Sequence, residues 1–138
     1  MPQSELALSR KQLDAVLAYL PLFEHDDFEF GRWVSGGKSI PHYRYSPEAR
    51  EFTDVLYEQG ILLSGDWMSW SAMAERFLAN PALLESADLD TIRRFLTVCV
   101  RSERVDEGHL GTSFESGSLL AALRRLKQLR DEHYGAEV

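Results

Sequence analysis

Residues 88–103, DLDTIRRFLTVCVRSE, constrain the fold more than any other part of the chain. Asp88 has the short acceptor side chain of a helix N-cap. Leu89, Ile92, Leu96 and Cys99 then recur at helical spacing, with Phe95 and Val100 beside them. An apolar surface that wide makes the helix, running to about Glu103, a well-buried element with others packed around it. The natural architecture is a helical bundle.

The remaining signals supply the partners. Ser9 and Gln12 form a capping-box pattern that starts a helix carrying Leu13, Val16, Leu17 and Leu20, and Pro21 ends it or loosens its last turn. Residues 28–34 alternate imperfectly as a strand, and Gly36-Gly37 suits a two-residue hairpin turn. Pro41 limits the returning strand to an edge. Ser46-Pro47-Glu48 is a strong helix start, and Gly60 is a natural stop after Phe52, Val55 and Leu56. A segment rich in tryptophan, GDWMSWSAMAERFL, leads into a third helix that breaks near Asn80-Pro81, with a short turn over 82–85. The last helix is placed from about Ser113 to His133, with Leu119, Leu123 and Leu126 as its stripe. The expected fold is mainly α, one globular domain over 1–138, with about five helices and a short β-hairpin or extended flap around 28–45.

Composition sets limits on function. The net charge of −7 disfavours nucleic acid as a partner, since non-specific affinity rests on neutralising phosphates, and a helix-turn-helix reading is poor for the same reason. No apolar run approaches the roughly 20 residues of a membrane span. The start MPQSELALSRKQ lacks a signal-peptide pattern, and the lone cysteine, Cys99, has no disulfide partner, so a cytoplasmic location is expected. The charge is uneven. Residues 1–92 carry 7 basic and 15 acidic side chains, a net of −8, whereas 93–130 carry 8 basic and 4 acidic, a net of +4.

The basic excess surrounds RSERVDEGHLGTSFESG, residues 101–117, at the junction of the last two helices. Thr112 and Glu115 have capping-box spacing, Gly108 suits a helix exit, and Gly117 suits a close helix crossing. Arg101, Arg104, Glu107, His109 and Glu115 are the candidate ligand-binding residues, because cations beside a helix amino end favour a phosphate or carboxylate guest. Glu107, His109 and Glu115 could supply an acid–base pair, with Glu107 and His109 the catalytic candidates, and no strong catalytic pattern surrounds them. No metal-ligand spacing and no cofactor fingerprint occurs, so neither a metal nor a cofactor is expected. Aromatic residues concentrate elsewhere, in Trp33, Tyr43, Tyr45, Trp67 and Trp70, with His42 among them. Their plain role is to cement the hairpin to the bundle. Trp33, Tyr43, Arg44 and Tyr45 are also candidates for contact with a partner, Arg44 recognising an acidic group.

The order LPLFE, F-x-F-G-x-W, PHYRYSPE, DWMSW, R-x-x-E-G-H-L and FESG-x-L, followed by LRRL, resembles a family of small bacterial proteins known only as a domain of unknown function. The resemblance covers about Leu13 to Arg130, and its most specific part is R-x-x-E-G-H-L followed by F-E-S-G. It implies a stand-alone bacterial domain and brings no activity, cofactor or assigned site. The reading that joins these features is a cytoplasmic binding or regulatory module, acting through a protein partner or a small anionic ligand at the helix junction. It leans away from an enzyme. One alternative is a hydrolase or transferase on a phosphorylated small molecule, using His109 and Glu107. Another is an acidic immunity-type protein that neutralises a basic toxin through residues 24–29. A two-fold homodimer through the last two helices would suit a domain of this size.

Overall fold

Helix α5 (Leu89–Arg101) starts where its cap dictates: the Asp88 carboxylate accepts a hydrogen bond from the Thr91 amide at 2.8 Å. Bonding to Thr91 also holds the Asp88 carboxyl below the ordinary carboxylate range. Eight of the 13 residues of α5 are buried, the outcome its wide apolar surface requires. The computed structural model describes residues 7–35 and 40–135. Around α5 pack α4 (Ser71–Ala79), α6 (His109–Glu115) and α7 (Ser118–Tyr134). Helix α7 in turn carries α1 (Arg10–Leu17) and the single-turn α2 (Leu20–Phe23), and α3 (Pro47–Glu58) lies on α1. The core joins Leu13 and Val16 of α1, Phe52 and Leu56 of α3, Phe95 and Leu96 of α5, and Leu119, Leu123 and Leu126 of α7. Each such side chain contributes roughly 1.5–3 kcal/mol on burial.

The mainly helical class and the hairpin are as expected, but the described residues contain seven α-helices rather than about five. Two expected helices are split. Pro21 lies in the first turn of α2, where a missing N–H costs nothing, so the first helix stops at Leu17 and restarts. The second break is at Gly117, whose φ of +87° is left-handed and divides the expected last helix into α6 and α7. A Cβ at Gly117 would meet nothing within 4 Å, so this glycine is a hinge of chain direction and not the helix-crossing contact that its neighbours Ser116 and Ser118 suggest. Those serines satisfy the break. The Ser116 and Ser118 hydroxyls lie 2.7 Å apart, and both reach the Ser113 carbonyl at 3.1 Å.

Strands β1 (Gly31–Val34) and β2 (His42–Tyr45) pair antiparallel, with Gly31 opposite Tyr45, Arg32 opposite Arg44, Trp33 opposite Tyr43 and Val34 opposite His42. The Gly36-Gly37 turn lies outside the described residues. The hairpin sits on a phenylalanine cluster: Phe23 meets Phe28, Phe30, Phe52 and Phe114 with ring centroids 5.0–6.0 Å apart, and Phe30 stacks on Phe114 at 4.6 Å. Near both ends of the described chain, the Tyr134 hydroxyl donates to the Leu8 carbonyl at 2.6 Å, and Arg130 pairs with Asp14 at 2.8 Å.

Candidate functional site

The two groups of residues that the sequence set apart, the helix junction and the hairpin, form one structure. Its organising residue is Glu103, in a 3-10 turn (Ser102–Arg104) that follows α5. One carboxylate oxygen accepts from the Gly108 amide at 2.8 Å. The other accepts from the Leu110 amide at 3.1 Å and from the Tyr45 hydroxyl at 2.5 Å. Gly108, with a φ of +86°, turns the chain so that the amino end of α6 faces this carboxylate. A second acid completes the attachment, the Glu107 carboxylate accepting from the Tyr43 amide at 2.9 Å. The Tyr45 hydroxyl also accepts from the Gly111 amide at 3.2 Å. Burial and the bond to Glu103 push the Tyr45 hydroxyl well above its ordinary value, so it stays a donor.

The Tyr43 ring is seated among glycines. A Cβ at Gly31 or Gly111 would collide with the ring, and one at Gly108 would come within 3.2 Å of it. Burial first, then the charges of Glu115, Glu103 and Glu29, raises the Tyr43 hydroxyl above its ordinary value. Trp33 stands edge-on to this ring at 5.4 Å and remains 57% exposed. Gly111 and the close seat it gives Tyr43 were not singled out by sequence reasoning, because the strand-to-helix contact has no local signature.

The expected roles at the junction change accordingly. Thr112 and Glu115 do not form a capping box, because α6 begins at His109; the Thr112 hydroxyl donates back to the Gly108 carbonyl, and Glu115 is the exposed last residue of α6. The anion expected at the helix amino end is supplied from within by Glu103. His109 is buried, and its Nδ1 has no hydrogen-bond partner among the described residues; the same holds for Arg101 Nε and the Tyr43 hydroxyl. Arg104 is exposed. Glu107 is engaged with the hairpin, and His109 is buried. No group of three His, Cys, Asp or Glu side chains among the described residues is placed to hold a metal.

The arginine excess after residue 92 is largely structural. Arg93 donates to the Gly60 and Ile61 carbonyls, Arg94 pairs with Asp90, Arg124 with Glu24, and Arg125 donates to the Ala87 carbonyl. Glu24 is thereby neutralised within the acidic segment, and Glu29 lies 3.7 Å from Arg32.

The outward face of the hairpin differs. Because Arg32 and Arg44 are direct cross-strand partners, two like charges face each other on one side of the ribbon. Arg50, on the first turns of α3, lines the same groove, of about 370 Å³, together with Glu29, Tyr45 and Ser46. Arg44 and Arg50 are exposed and make no ion pair among the described residues. Arg44 was expected to face a partner. Arg32 and Arg50 join it only through strand register and the placement of α3, neither of which the sequence spells out. The amide of Ala49 is already capped by the Ser46 hydroxyl at 3.1 Å, so the guanidinium groups, not the helix end, give the groove its positive character.

Trp67 and Trp70 do not join the hairpin aromatics. They line a separate cavity beside α5, and Trp70 packs on Phe77 at 5.7 Å. No helix of the described residues is long and apolar enough to cross a membrane.

A family model described as "Family of unknown function (DUF6508)" matches residues 8–132. No curated protein and no solved structure matches the chain.

Proposed function

The chain belongs to this family of unknown function, and from the geometry of its own residues we propose that it is a binding module for an anionic group, held in the groove of Arg32, Arg44 and Arg50. The observation that carries this reading is the register that sets Arg32 directly against Arg44. Opposed like charges on neighbouring strands destabilise a hairpin unless something bridges them. Of the described residues that line the groove, four are charged and the only acid is Glu29, so three cations meet one anion on a protein whose net charge is −7. Guanidinium groups suit phosphate and carboxylate because their planar fork makes paired, charge-assisted hydrogen bonds. The acids at the helix junction then serve as supports: Glu103 and Glu107 fix the inner face of β2, which presents Arg44 on the outer face.

The test uses inorganic phosphate and pyrophosphate at constant ionic strength, followed by amide chemical shifts and thermal stability. Saturable shifts should centre on residues 29–34 and 42–50. Arg44→Glu should weaken binding about tenfold or more. Without ligand, the same variant should be slightly more stable than wild type, because Arg44→Glu turns a repulsive cross-strand pair into an attractive one. Equal phosphate affinity in wild type and Arg44→Glu would remove the groove from consideration.

A further inference from the structure

The cavity beside α5 carries a different chemistry. Its volume is about 280 Å³, near the lower end of small-ligand sites, which span roughly 300–1,000 Å³. Two half-buried indoles, Trp67 and Trp70, form its wall, and Trp70 is held in place by Phe77. The floor is built from α5 and is polar only where its groups are already engaged. The Thr97 hydroxyl donates to the Arg93 carbonyl at 2.7 Å and accepts from the Leu63 amide at 2.9 Å. That second bond ties the loop carrying the tryptophans to the helix. The cavity is therefore set by the fold and does not depend on a ligand to assemble it.

The charges around it are unequal. Among the described residues, Arg94 is the only cation lining the cavity, and it is committed to Asp90 at 2.6 Å on the same helix. Asp66, the other acid, accepts the Ser69 amide at 3.3 Å and meets no cation within salt-bridge distance among the described residues. An exposed carboxylate with no cation partner, lining the same cavity as two indoles, suits an organic cation: indole rings attract positive charge over their faces, and the carboxylate supplies the counter-charge. An anion would face Asp66, and a purely apolar guest would make no use of its charge.

We propose that the Trp67–Trp70–Asp66 cavity binds a small organic ammonium ion. This site is separate from the arginine groove and takes the opposite charge, so the two readings stand or fall independently. The test monitors tryptophan fluorescence in a Trp33→Phe background, which leaves Trp67 and Trp70 as the only indoles. Choline is the probe, and its uncharged carbon isostere, in which a quaternary carbon replaces the nitrogen, is the control. Choline should produce a saturable change, and the isostere should bind about tenfold more weakly. Asp66→Asn keeps the oxygen that accepts from Ser69 and should weaken choline about fivefold. Trp67→Leu should abolish the saturable change, and Arg44→Glu should leave choline binding intact. Equal binding of choline and the isostere would overturn the proposal, as would unchanged choline affinity in Asp66→Asn or a change that never saturates.

Discussion

Gly117 shows how much one backbone angle alters the meaning of a residue. In a continuous helix, glycine is destabilising, and replacing it by alanine would stabilise the protein by about 1 kcal/mol. At a φ of +87° the sign reverses, since a Cβ in the left-handed region costs roughly 1–2 kcal/mol even with open space around it. Gly117→Ala should therefore lower the urea midpoint, and Gly117→Asn should lower it less, because asparagine tolerates this conformation better. A higher midpoint for the alanine variant would mean that α6 and α7 are one helix. The sequence carried the signal in part: a glycine between two serines marks a break or a close contact, and periodicity alone does not choose between them. By contrast, Asp88 and Ser9 were legible as caps because their partners, Thr91 and Gln12, lie three residues away in the chain.

At the scale of elements, the hairpin depends on its attachment to α6 more than on its own two short strands, which are too few to be stable alone. Tyr45 is the shared fastening, donating to Glu103 and accepting from Gly111. Tyr45→Phe should leave the Gly111 amide without its partner and cost about 1–3 kcal/mol. Hydrogen exchange should show the β1 and β2 amides opening faster while those of α5 keep their protection. Uniform acceleration across both elements would mean that the hairpin does not open as a separate unit. The existence of the hairpin and the importance of 101–117 were readable because glycines and charges cluster there. The link between them was not, since Tyr43 and Glu107 are 64 positions apart and only packing brings them together. Glu103 was passed over for the same reason. It lies among arginines in sequence, yet its partners are backbone amides and a tyrosine from a distant strand.

For the molecule as a whole, α5 makes the core a single reporter of folding. Cys99, towards the carboxyl end of α5, is fully buried, and burial pushes the thiol up to about 12. Thiolate is therefore scarce at neutral pH in the folded state, whereas unfolding returns the group to its ordinary value near 8.5. Labelling of Cys99 by a thiol reagent should follow global unfolding, with a rate that rises steeply through the denaturant transition. Rapid labelling in native buffer would require an opening near α5. The same core explains why the fold class was legible: the apolar faces of α1, α5 and α7 are written at helical spacing, and the bundle buries all three. At the edge of that core, the Tyr134 hydroxyl closes on the Leu8 carbonyl. Residues 8 and 134 thus lie within one side chain's reach of each other. Spliced into a surface loop of an unrelated host, residues 8–134 would ask that loop to open only by that much.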